Sequence, residues 1–131
     1  MSIWPVILAA ISSVLIGALW YHPRLFGTMW MQETGVTPER AERGARYKHV
    51  HFLLGFLAAC ITAYVLRELM MHVGIKTMTQ AIGFAIVVWI GLMAPVSASA
   101  FLWEHRSFGF YMVNISYWLL VSVVMCTILA V

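Results

Sequence analysis

Residues 108–131 read FGFYMVNISYWLLVSVVMCTILAV, a run without a single Asp, Glu, Lys or Arg. About 20 predominantly apolar residues are enough for a helix to cross the hydrocarbon core of a bilayer, so this run is long enough to span one. Working outward, three more apolar runs divide the chain, at about 3–21, 51–71 and 78–103. They predict an all-α fold, an integral membrane four-helix transmembrane bundle made as one domain over residues 1–131. Composition agrees: 63% of the 131 residues are hydrophobic and 10% charged, against roughly 25% charged in a soluble domain. Four spans with short connections use up the length, so no appended soluble catalytic domain is expected.

Local signals place the ends. Trp4 at one end of the first run and Trp20-Tyr21 at the other suit aromatic anchors at two interfaces. A cleaved signal peptide is the competing reading, but the run lacks a basic leader and is followed by bulky residues. Arg67 and Glu68 lie close enough to the end of the second run for their heads to reach the interface. Thr77, with Gln80 three residues on, forms a capping box that opens the third run. The long connection, 22–50, begins with Leu25, Phe26, Met29 and Trp30 at helical spacing, which predicts a short interfacial helix. It continues through Thr37-Pro38-Glu39, a good helix start, and the i,i+4 pairs Glu39–Arg43 and Glu42–Arg46, as a basic helical segment feeding the second span. Arg24, Arg40, Arg43, Arg46, Lys48 and Arg106 fall on one side of the chain's path, Arg67 and Lys76 on the other. The positive-inside rule then predicts a cell (inner) membrane protein with the long connection cytoplasmic and both termini outside.

Several blocks together resemble a known family. They are Gly17-Ala18-Leu19-Trp20-Tyr21-His22-Pro23-Arg24-Leu25-Phe26-Gly27 and Met29-Trp30-Met31; Trp89-Ile90-Gly91 through Ala94-Pro95; Phe101-Leu102-Trp103-Glu104-His105-Arg106-Ser107; and Tyr117. The chain resembles, over essentially its whole length, the domain-of-unknown-function family 1761, small four-span membrane proteins. The resemblance implies fold and location and no activity. His22 stands where the family pattern has a small polar residue, and His105 where it has Gly. There is also an internal echo: Trp20-x-His22-x-Arg24-x-Phe26-Gly27 and Trp103-x-His105-Arg106-x-Phe108-Gly109 differ by one deleted residue. One reading is a duplicated hairpin, two parallel repeats about an axis along the membrane normal. The other is the ordinary collection of aromatic and basic residues at an interface.

Candidate functional residues form two groups. His22 and Arg24 with Glu104, His105 and Arg106 would make an anion corner, because histidine titrates near neutrality and arginine grips carboxylate or phosphate bidentately; contact with lipid headgroups explains the same residues. Ser97, Ser99, Tyr111 and Asn114 share a depth with Ser12 and Ser13 and would line a polar pocket, since Asn114 must find partners in an apolar span; interhelical hydrogen bonds that merely hold the bundle are the alternative. The small residues Gly55, Ala59 and Ala63, and likewise Gly91, Pro95 and Ser99, recur every four positions and predict close helix packing, with a kink at Pro95. Cys60 and Cys126 differ in depth and are not expected to bond.

The five acids are all Glu, none lies deep in a span, and no nucleophile–base pair or metal-ligand spacing occurs. Enzyme activity, cofactor, metal and nucleic acid are therefore not expected. Two functions remain: an oligomeric pathway for a small solute or ion, or an accessory or scaffold subunit of a larger membrane complex. The partners implied are the lipid bilayer and a second copy or another membrane protein.

Overall fold

The computed structural model describes residues 2–20, 48–103 and 107–130. Among the described residues, five helices occur in chain order: α1 (Trp4–Trp20), α2 (Lys48–Val73), α3 (Met78–Val88), α4 (Ala94–Leu102) and α5 (Phe108–Ala130). A π-helical turn, Trp89–Met93, joins α3 to α4, so the helices make four rods. The fold is all-α, as the four apolar runs predict, and no strand occurs among the described residues. Helical segments His49–Val73, Met78–Ser99 and Phe108–Ala130 are long and apolar enough to cross a membrane. α1 has 17 described residues, about 25 Å at 1.5 Å per residue. The expected interfacial helix, most of the basic segment and the corner residues His22, Arg24, Glu104, His105 and Arg106 lie outside the described residues.

Chain punctuation follows the local rules. Gln80 N–H donates to Thr77 Oγ1 at 3.2 Å, while Gln80 Oε1 accepts from the backbone of Thr77 at 3.3 Å and of Lys76 at 2.8 Å. The capping box is thus in place at the start of α3. α2 ends at Gly74, whose φ of 88° lies in the left-handed region that glycine enters without a Cβ penalty. Gly74 N–H bonds to Met71 O at 3.3 Å and Ile75 N–H to Met70 O at 2.9 Å, the paired bonds of a Schellman motif.

α5 is the central rod. It packs on α1 along one side and on α3 and α4 along the other, while α1 also packs on α2. Burial on α1 falls at Val6, Ala9, Ala10 and Ser13, a single helical face, whereas buried positions on α5 fall on two. α2 buries only Ala63, Leu66 and Met70, all near its end. There Arg67 Nη1 donates to Ser2 O at 2.8 Å and the guanidinium lies 5.4 Å from the Tyr64 ring centre. The hydrophobic core joins these three residues to Val6 and Ala9 of α1, to Ala81, Ala85 and Val88 of α3, and to Val121, Met125 and Cys126 of α5. It therefore lies toward the Ser2 end of the bundle. Cys60 and Cys126 are both free thiols.

Two expectations about packing change. A twofold relation between hairpins would carry α1 onto the third rod and α2 onto α5, so the α1–α5 contact would need an α2-to-third-rod counterpart. No extensive contact of that kind occurs among the described residues. The small-residue stripe Gly91, Pro95 and Ser99 is exposed instead of packed. Its cause is the π turn, where Ala94 N–H reaches back five residues to Trp89 O. One extra residue rotates everything downstream by about 100°. An unbroken α-helix would continue the buried series Ala81, Ala85, Val88 to Leu92, Pro95 and Ser99. After the π turn Met93, Ala94, Ser97 and Ala98 face the bundle and those three do not.

Candidate functional site

Toward the Trp20 end, away from the core, the rods are held by aromatic side chains bonded to backbone carbonyls. Trp20 of α1 donates its indole N–H to Val113 O at 3.1 Å, and Trp89 of the π turn donates to Ile115 O at 2.7 Å. In return, α5 sends Tyr117 Oη to Ser13 O on α1 at 3.2 Å and Tyr111 Oη to Ala94 O on α4 at 2.9 Å. Each helix carbonyl has a second lone pair free for such a donor, and a buried indole or phenol needs one. α5 thus receives one bond from each flank and gives one to each. Gly17 makes the α1 side possible, since a Cβ there would lie 3.0 Å from Tyr117 Oη.

α2 takes no part in these bonds. Along its stripe Ala63 is fully buried, Ala59 half-buried and Gly55 exposed, and a Cβ on Gly55 would meet nothing within 4 Å. The stripe expected to pack closely therefore does so at one end only. Where α2 diverges, a cleft of about 450 Å³ opens between α1, α2 and α5. Its walls are Val14, Gly17 and Ala18 from α1, Phe52, Gly55, Ala58, Ala59 and Thr62 from α2, and Tyr117, Trp118 and Met125 from α5, with Ser13 beside Tyr117 and His51 at the Trp20 end. The Tyr117 hydroxyl is already committed to Ser13 O; His51, Thr62, the Ser13 hydroxyl and the Trp118 indole N–H are the other polar side-chain groups on its walls. A second, shallower hollow of about 330 Å³ lies beyond Trp118, bounded by Thr62, Leu92, Met93, Val96 and Ser97. Trp118, edge-on to Tyr117 at 5.2 Å, divides the two.

The polar residues expected to share a pocket are dispersed. Ser97 lines the second hollow. Ser99 is exposed and its hydroxyl donates to Val96 O of its own helix at 2.9 Å; Ser12 likewise bonds to Ala9 O at 2.6 Å. Tyr111 is bonded to Ala94 O. Asn114 is half-buried and engaged in an interaction, as its amide requires, and it borders neither hollow. The residues of the expected anion corner lie outside the described residues. Among those described, no group of three His, Cys, Asp or Glu side chains is placed to hold a metal ion.

Sequence reasoning missed the cleft. The stripe Gly55, Ala59, Ala63 is its one visible trace, because the missing side chain at Gly55 leaves space that nothing else fills.

No curated protein and no solved structure matches the chain. Over residues 4–130 it matches the family described as Protein of unknown function (DUF1761). Gly17, Trp20, Trp89, Ala94 and Tyr117, which carry the resemblance, are also the residues that lace α5 to its two flanks. With all but its first three residues and its last one matched, the chain belongs to the DUF1761 family.

Proposed function

We propose that this chain is a four-span integral membrane protein of transport-like kind, working on an apolar or amphipathic small molecule through the cleft between α1, α2 and α5. The observation that carries this reading is the cleft: three helices bound about 450 Å³, within the range of roughly 300–1,000 Å³ that small-molecule sites occupy. Its lining is apolar and aromatic with few polar groups, and no Asp, Glu, Lys or Arg is among the described residues that border it, which favours an apolar solute over an ion. The both-termini-outside orientation in the inner membrane is part of the same proposal and rests on the six-to-two distribution of Lys and Arg.

Single cysteines test it, introduced as Gly55→Cys, Ala59→Cys and Thr62→Cys in an otherwise Cys-free protein reconstituted in vesicles. A lipophilic maleimide should modify all three, and a small charged thiosulfonate should spare Ala59→Cys and Thr62→Cys. Rapid reaction of both with the charged reagent would make the cleft an aqueous path and overturn the apolar-solute reading.

An accessory-subunit role is favoured by a different observation. α2 is anchored by three buried residues and presents Leu53, Leu57, Ile61 and Tyr64 outward, so a neighbouring membrane protein or second copy has a complete helix face to pack on. Cross-linking from Leu57→Cys in native membranes distinguishes it: a discrete higher-mass product supports assembly through α2, and a monomer band alone rejects it.

A further inference from the structure

We infer that the ligand of this cleft is a single-chain amphiphile with an acidic head, a long-chain fatty acid, held with its carboxylate at His51 and its tail running past Thr62 toward Met125. The inference rests on the cleft being a binding site, as proposed above, and adds the chemistry and direction of what enters it.

Three features of the cleft carry it. First, polarity runs along its length. His51 is exposed at the Trp20 end, near the end of α1 where Ala18 lines the same wall, and its ring can offer an N–H donor to a carboxylate oxygen. Met125, at the far end, is fully buried within the core cluster. Second, the cleft is elongated. His51 and Thr62 both line it, and their separation along α2 corresponds to roughly 16 Å at 1.5 Å per residue. That suits an extended chain better than a compact solute. Third, its capacity is that of one chain: about 450 Å³ holds on the order of fifteen groups of roughly 30 Å³, the volume one water occupies in the liquid. Two chains of a phospholipid would not both enter. Between the ends, Tyr117 is occupied by Ser13 and the Ser13 and Thr62 hydroxyls can return their protons to their own helices, so apart from the Trp118 indole N–H the walls beside a methylene chain are mainly apolar.

The opening beside Gly55 gives the test its steric handle. Since a Cβ there meets nothing within 4 Å, Gly55→Phe can fill the cleft without displacing a helix, and Gly55→Ala leaves most of it open.

The experiment uses the full chain in phosphatidylcholine vesicles carrying a trace of palmitic acid with a photoactivatable diazirine near its tail, its methyl ester, or phosphatidylcholine bearing the same chain, with adducts mapped by mass spectrometry. The acid is expected to label Thr62, Trp118 and Met125 in preference to the outward Leu53, Leu57 and Ile61, and Gly55→Phe to abolish that preference while Gly55→Ala keeps it. His51→Leu should lower the acid's cleft labelling about two- to fivefold, the size of one partly exposed polar pair, and leave the ester unchanged. Equal cleft labelling by acid and ester overturns the acidic head and leaves the cleft reading standing. Labelling by the phospholipid as strong as by the acid overturns the single-chain assignment. Adducts spread evenly over α2 with every probe overturn both.

Discussion

The hydroxyl of Tyr117 lies directly over Gly17, 3.0 Å from where a Cβ would stand, and donates to Ser13 O at 3.2 Å. One residue supplies the space and another, four positions earlier on the same face of α1, supplies the acceptor. An interhelical hydrogen bond within a membrane bundle is worth about 0.6–2 kcal/mol. Gly17→Ala is expected to push the phenol off Ser13 and cost about 1 kcal/mol, and Tyr117→Phe to cost a similar amount by deleting the donor. The two should not add. Without the hydroxyl, the nearest ring carbons are 3.6 Å from the added methyl, an ordinary contact, so Gly17→Ala becomes nearly neutral in the Tyr117→Phe background. Reversible unfolding in mixed micelles measures the cycle; additive losses would show that Gly17 and Tyr117 act separately.

The indole bonds of Trp20 and Trp89 predict a contrast with tryptophans that have the same composition and no such role. Trp20→Phe and Trp89→Phe each remove a donor to an α5 carbonyl, and Tyr111→Phe removes the return bond to Ala94. Each is expected to lower stability by about 1 kcal/mol. Trp4→Phe and Trp103→Phe, at side chains 66% and 80% exposed, should change thermal stability little. Equal effects across all five variants, measured by loss of monodisperse protein on heating, would show that these hydrogen bonds add no stability of their own.

Rod number and rod ends were legible because both depend on local sequence. An apolar run of span length announces a helix whatever it packs against, and Thr77 with Gln80 specifies its own cap. Contacts between rods were not legible for a physical reason. In a chain this apolar the lipid-facing and protein-facing sides share one composition, so α2, exposed along most of its length, reads like the enclosed α5. The acceptors of the four aromatic bonds are backbone carbonyls, which every residue carries, so nothing in the letters at Ser13, Ala94, Val113 or Ile115 marks them. Asn114 is engaged in an interaction, as its chemistry requires, whereas Ser99, which an unbroken helical count puts on the packed face, is exposed beyond the π turn. The cleft is a consequence of divergence between helices, and only the glycine that ends the series Ala63, Ala59, Gly55 hints at it.

Orientation is predicted from charge. Arg67 and Lys76 lie near or just after the end of α2, while six Lys and Arg residues fall in sequence between Trp20 and His49 or between Trp103 and Ser107. In a Cys-free background, Ser2→Cys is expected to react with an impermeant maleimide added outside intact cells, and Gly44→Cys only after the membrane is opened. The opposite pattern would invert the protein. Adding basic residues at the amino terminus, as Ser2→Lys-type substitutions combined with Arg43→Gln and Arg46→Gln, should weaken the preference, because the orientation bias follows Lys and Arg near the span ends.

Pro95 has no N–H to return to Gly91, and its ring would press on that carbonyl in an unbroken α-helix. The π turn immediately before it, with Ala94 N–H on Trp89 O, accommodates both, and it also aims the Trp89 indole at Ile115 O. Pro95→Ala is therefore expected to let the third rod relax toward α-helical register. Downstream residues would turn back by about 100°, bringing Leu92 and Ser99 toward α5 and carrying Ser97 away. Cysteines report the change: with Pro95 present Ser99→Cys should react with a lipophilic thiol reagent faster than Ser97→Cys, and with Pro95→Ala the order should reverse. Loss of the Trp89 bond should lower stability by about 1 kcal/mol at the same time. If the labelling order is the same with and without the proline, the π turn is fixed by packing around Trp89 and Ala94, and Pro95 is merely tolerated by it.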